Sequence, residues 1–155
     1  MTEMITPPVT GRAPRHPVSG IGAQLVPDEE GGFVFYFLRG DGTVQAEGLK
    51  SELGSPFLEH RVYDRNGWVT QEQIADPDGH LGFEVRREFC PGAGVRSELW
   101  VRLSDSAVCD PDEMNPAVRT FDVDGAVTAS GSYPDGVAAQ PVKGTRRWHS
   151  VAEYL

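Results

Sequence analysis

The sequence predicts an all-β fold, an antiparallel meander of eight to nine strands that forms a curled sheet or barrel behind an irregular N-terminal arm. Three observations predict it. Four times, an apolar or aromatic residue is followed six positions later by Val with a turn between: Leu38 and Val44, Tyr63 and Val69, Phe89 and Val95, Phe121 and Val127. Gly (18) and Pro (12) are frequent enough in 155 residues to demand many turns, which favours short strands. No apolar pattern at helical spacing is sustained anywhere in the chain.

Residues 1–30 read as an extended or partly disordered arm. Thr6-Pro7-Pro8, Ala13-Pro14-Arg15-His16-Pro17 and Ser19-Gly20-Ile21-Gly22 all resist regular structure, and Ile21 to Val26 adds a short edge strand. Residues 31–155 then form a single domain, with strands over 33–38, 43–49, 57–63, 68–74, 81–89, 95–103, 117–122, 126–133 and 145–153. Ser150 to Leu155 is the one segment open to a helical turn.

The strands over 81–89 and 95–103 show the period-two pattern of a half-buried sheet. Leu81, Phe83, Val85, Arg87 and Phe89 share one face of the first, and Val95, Ser97, Leu99, Val101 and Leu103 one face of the second. Glu84, Arg86, Glu88, Arg96, Glu98 and Arg102 then fall on the wet face, where opposite charges pair across strands. Asn66-Gly67 and Asp124-Gly125 supply residues that tolerate positive φ, as tight hairpin turns require. Asp78-Gly79 and Asp135-Gly136 do the same at the other end of the sheet. Successive copies of the hairpin start 25, 26 and 32 residues apart, the last interval holding the Ser104–Pro116 loop. A unit of that length suits a repeat array, because one hairpin cannot bury its apolar face alone.

The formal net charge of −9 repels phosphate backbones and anionic lipids, so no nucleic acid and no membrane surface is expected as partner. A basic protein partner is attracted. Thr145-Arg146-Arg147-Trp148-His149 is a basic cluster too short to reverse that field. No apolar run approaches the roughly 18 residues that span a bilayer. The first 15 residues lack the apolar core of a secretory signal. The expected address is the cytoplasm, with Cys90 and Cys109 as thiols.

The run Thr120-Phe121-Asp122-Val123-Asp124-Gly125-Ala126-Val127, continuing through Ser130-Gly131-Ser132-Tyr133-Pro134-Asp135-Gly136, resembles a MORN-type repeat, and Tyr63 to Val69 resembles its first half. The nearest form is the bacterial variant found in antitoxin-type proteins. The resemblance implies an antiparallel meander used as an interaction module.

Candidate sites divide by chemistry. Asp122 to Gly125 and Asp76 to Gly79 lack the further acidic positions that a calcium loop needs, and are accounted for as turns. Asp110, Asp112 and Glu113 form a denser acidic cluster on a longer loop, suited to a metal or a basic partner. His60, His80 and His149 with Cys90 or Cys109 lack the paired short spacing of structural zinc, so no metal or cofactor is expected. There is no Gly-x-Ser-x-Gly elbow, and Cys90 reads as a turn residue.

The remaining prospect is aromatic and ionisable residues on one face. Arg61, Arg87 and Arg119 each stand two residues before the repeated aromatic and suggest a basic ladder. Arg87 shares its face with Phe83, Val85 and Phe89, and with Tyr63 and Trp68 would suit an anionic or carbonyl-bearing ligand. Two functions follow. The first is a non-enzymatic binding module for a protein partner, immunity- or antitoxin-like. The second is a lipocalin-like barrel for a small ligand, a carrier or a cyclase or isomerase, in which Arg87, Tyr63, Trp68, Phe83, Arg61 and Arg119 bind and Glu72 moves a proton.

Overall fold

The computed structural model describes residues 16, 18–55, 57–76, 79–138 and 151–155. Among them the chain is all-β. In chain order the strands are β1 (Gly22–Pro27), β2 (Phe33–Leu38), β3 (Val44–Lys50), β4 (Glu59–Tyr63), β5 (Val69–Ala75), β6 (Phe83–Phe89), β7 (Val95–Arg102), β8 (Ala107–Val108), β9 (Val118–Phe121), β10 (Val127–Gly131) and β11 (Val137–Ala138). A 3-10 turn, Val151–Tyr154, closes the chain. Strands β1 to β7 follow one another as neighbours, β8 and β9 both pair β7, β10 pairs β9 and β11 pairs β8, and among the described residues this antiparallel meander is not closed into a barrel. The barrel form of the expected fold is therefore corrected to an open one.

Four hairpins repeat one turn design with one variation. Arg39 N donates to Thr43 O while Gly42 N donates back to Arg39 O, and Asp64 with Trp68 and Asp122 with Ala126 repeat the pattern. Gly42, Gly67 and Gly125 each hold φ at 87°, the left-handed conformation that lets the chain re-enter the next strand after a tight turn. Asp64 Oδ1 accepts from the Asn66 and Trp68 amides, and Asp122 Oδ1 from the Asp124 and Ala126 amides. That is why Asp precedes these turns. Between β6 and β7 Pro91-Gly92 replaces the design, with Ala93 N donating to Cys90 O.

The chain forms two compact units, Met1–Ile74 with Phe89–Gly94, and Ala75–Glu88 with Val95–Leu155. In the first, β1 to β5 pair in sequence order. One face carries Val34, Tyr36, Leu38, Glu47, Arg61, Tyr63, Val69 and Glu72, all buried. Opposite residues in the register share a face. The other face therefore carries Ala23, Leu25 and Pro27 beside Phe37, Phe35 and Phe33, followed by Ala46, Gly48 and Lys50. Phe57 packs against Gly48, where a Cβ would stand 2.3 Å from its ring.

In the second unit β7 is the central strand, with β6 beside it and β8 and β9 pairing successive parts of its other edge. Leu99, Val101, Val108, Ala117, Val118 and Tyr154 make its core, with Tyr133 and Val151 packed against them. Tyr133 donates from its hydroxyl to the Tyr154 carbonyl at 2.6 Å, tying the terminal turn to the sheet.

Three expectations change. The strand count rises to eleven among the described residues, because β8 and β11 are two-residue pairs too short to show alternation. Of the strand expected over 145–153, residues 145–150 lie outside the described residues, and Val151–Tyr154 form the 3-10 turn. Glu98 is not on a wet face: it is only 4% exposed. Arg87 meets Glu98 and Ser97 meets Glu88, each an odd-numbered residue with an even-numbered one. The face shared by Phe83, Val85 and Arg87 therefore continues onto the even-numbered residues of β7.

Candidate functional site

Each hairpin places the second residue before its aromatic opposite the third residue after its Val. In the first unit this produces a straight row across four strands: Tyr36 faces Glu47, Glu47 faces Arg61, and Arg61 faces Glu72. Tyr36 and Tyr63 donate their hydroxyls to Glu47 at 3.4 and 2.6 Å. Arg61 Nε donates to Glu72 at 3.1 Å, and its Nη1 reaches Glu59 at 2.7 Å. Burial lowers the pKa of Arg61, but the Glu59 hydrogen bond and the Glu72 and Glu59 charges outweigh it and hold the guanidinium above its usual value. A buried ion pair needs such additional hydrogen bonds to offset the loss of hydration.

The second unit contains the counterpart. Glu98 on β7 lies between Arg87 on β6 and Arg119 on β9. It takes a 2.9 Å bond from Arg87 Nε, a 3.0 Å bond from Arg119 Nε and a further contact from Arg119 Nη2. Trp100 Nε1 adds a 3.3 Å bond. Burial pushes the Glu98 carboxyl up, and the Arg119 hydrogen bond with the charges of Arg87 and Arg119 reverses this, leaving it below the usual carboxylate range. A group whose folded pKa is depressed adds stability above its unfolded pKa and loses it as pH falls through the folded value. The wild-type chain is therefore expected to lose stability between the ordinary glutamate range and the lower Glu98 pKa, and Glu98→Gln to show a smaller loss over that window. Urea midpoints measured from pH 7 down to pH 3 check both.

The arginines expected as a ladder are thus each matched to carboxylates. Arg61 and Glu72 are brought together, and Arg87 and Arg119 converge on Glu98. Tyr63 is buried against Glu47. Trp68 lies in a turn, 3.7 Å from where a Cβ on Gly92 would stand, and Phe83 packs edge-on to Trp100 at 6.5 Å. Glu47 and Glu98 carried a signal of their own in the sequence: Val44, Val69 and Val95 are each followed three positions later by Glu47, Glu72 and Glu98, with Ser130 in the fourth copy.

Chemically these rows hold protons and charges in place. The crevice lined by Glu47, Leu49, Glu59 and Arg61 is too narrow for a water molecule. Among the described residues, grooves open to solvent occur in the first unit. One of about 400 Å³ is lined by Asp28, Glu30, Leu49, Lys50 and Leu58 among others, and one of about 350 Å³ by the turns around Thr43, Tyr63, Asp64 and Asn66. Among the described residues no cluster of His, Cys, Asp and Glu is placed to hold a metal ion. Asp112, in the acidic loop, accepts from the Met114 and Asn115 amides and pairs with His80 at 3.4 Å.

The open face of the first unit is of another kind. Leu25 is 45% exposed, Phe37 38% and Phe57 38%; Leu25 is in register with half-buried Phe35, and Phe57 packs edge-on to Phe35 at 6.0 Å. Lys50 Nζ stands 5.2 Å from the Phe35 ring centre and 4.7 Å from that of Phe57. Comparison with protein-family models, curated proteins and solved structures finds no match for the chain.

Proposed function

We propose that this protein is a non-enzymatic binding module that docks a protein partner on the open face of β1 to β4. The observation that carries the reading is the row of Leu25, Phe33, Phe35, Phe37 and Phe57 left on that face. Aromatic side chains set on a rigid sheet are typical anchors of protein interfaces, where a few of them carry most of the binding energy. The ionisable groups support the same reading, because Arg61, Arg87 and Arg119 are matched to carboxylates of the chain itself. An immunity- or antitoxin-like role in the cytoplasm, with a basic partner, accords with the net charge of −9 and with the MORN-like hairpins.

The test compares capture from a lysate of the source organism by the wild type and by Phe37→Asp, with circular dichroism as the control for folding. Phe37 is partly exposed, so the variant is expected to fold and to retain its partner about tenfold less well or worse. Equal capture by both proteins, or a large thermal stabilisation by a small metabolite with no protein captured, overturns the reading.

A further inference from the structure

We infer that β1 is an acceptor edge for an extended segment of the partner, a strand of alternating apolar residues with Lys or Arg at the end that meets Glu29 and Glu30. This rests on the reading of the open face as a docking surface. Among the described residues β1 pairs with β2 alone. Its six residues, Gly22-Ala23-Gln24-Leu25-Val26-Pro27, contain no charged side chain, and Pro27 stands only at its end. Proteins normally blunt an edge of this kind with lysine, an inward charge, a bulge or a covering element, because its backbone groups are a template for another strand. Addition of a strand to such an edge draws affinity from main-chain hydrogen bonds and specificity from alternate side chains.

Both sources of specificity are present. Ala23, Leu25 and Pro27 are exposed on the same face as Phe37, Phe35 and Phe33, so every second residue of an added strand extends the aromatic row. Asp28 follows β1 and lies 2.9 Å from His16 Nε2, with its side chain buried, while Glu29 and Glu30 next to it are exposed. No Lys or Arg occurs between His16 and Leu38, and Lys50, opposite Phe33, holds its ammonium group over the Phe35 and Phe57 rings. The field at that end of the edge selects for cationic residues. A second copy of the chain brings the same net charge of −9 and is opposed by it.

The probe is a fluorescein-labelled peptide of alternating Thr and Val preceded by two Lys, titrated into the full chain and followed by anisotropy and by amide hydrogen exchange. Its controls carry two Glu in place of the Lys, or N-methyl groups on alternate amides. The dilysine peptide is expected to bind at least tenfold more tightly than the diglutamate peptide, to lose affinity on N-methylation, and to slow exchange over residues 22–27. Glu29→Lys with Glu30→Lys, both at exposed positions, is expected to reverse the charge preference. Equal affinity for the two charged peptides, no binding of either, or strong protection, in the chain alone, of the β1 amides that point away from β2 overturns the proposal. The last outcome means that the edge is already occupied by another segment of this chain or by a second copy. If the peptide fails while Phe37→Asp still abolishes capture, the edge is refuted and the docking face stands.

Discussion

Glu98→Gln is expected to lower the free energy of unfolding by about 3 kcal/mol, because removing one member of a buried ion network leaves its partners uncompensated. Arg87 and Arg119 approach Glu98 from opposite sides, and the glutamate is the shared acceptor for both guanidiniums and for the Trp100 indole. Glutamine keeps the shape of the side chain and removes the charge, so the loss reports electrostatics rather than packing. Urea denaturation at pH 7 measures it. A loss below about 0.5 kcal/mol would mean that the two arginines find water when Glu98 is neutral, as exposed ion pairs do. Replacing Glu98, Arg87 and Arg119 together by Leu or Met is expected to recover much of the loss, since an apolar substitute for a whole buried network is often neutral.

Gly131→Ala should cost about 2–3 kcal/mol, on the scale of losing a buried aromatic contact. A Cβ at Gly131 would stand 2.6 Å from the Tyr154 carbonyl oxygen and 3.2 Å from the Tyr133 ring. The first neighbour is backbone, which cannot rotate aside, so the terminal turn must lift. Lifting it breaks the Tyr133–Tyr154 hydrogen bond and uncovers Tyr154, which is 6% exposed in the core with Leu99, Val101 and Val118. The check is a double-mutant cycle with Tyr154→Ala. If both changes act by releasing the turn, the double variant loses little more than the worse single one. Additive losses, or an undisturbed Gly131→Ala variant, would refute this packing.

The hairpins were legible because their turns have strict local demands. Asp64 and Asp122 accept from amides inside their own turns, and Gly67 and Gly125 take a backbone conformation that few residues tolerate, so residue type alone marks the site. β8 and β11 were not legible, since two residues cannot display a period and their pairing is set by distant strands. The inward arginines are visible at Arg61, Arg87 and Arg119, and so is Glu72, the acceptor of Arg61, whereas Glu98, the acceptor of the other two, is not. Plain alternation puts Glu98 with the wet residues, whereas the turn between β6 and β7 imposes an odd-to-even shift that brings it onto the face of Arg87. That shift is set by the local turn Cys90–Gly94, and polarity patterns within either strand do not encode it. The aromatic face was missed for a similar reason: β2 is apolar at every position, so its sequence gives no hint of which face is covered.

The interior carboxylates also give the array a direction. Glu47 borrows the Tyr63 hydroxyl from the hairpin after its own, and Glu98 borrows Arg119 in the same way. The final copy has Ser130 opposite Arg119 instead of an acid, and so asks nothing of a successor. Hairpins cut from this chain are therefore not interchangeable bricks. Excising the one after Glu47 or after Glu98 would take a donor from that acid, and appending another after Ser130 would find no socket waiting for its arginine.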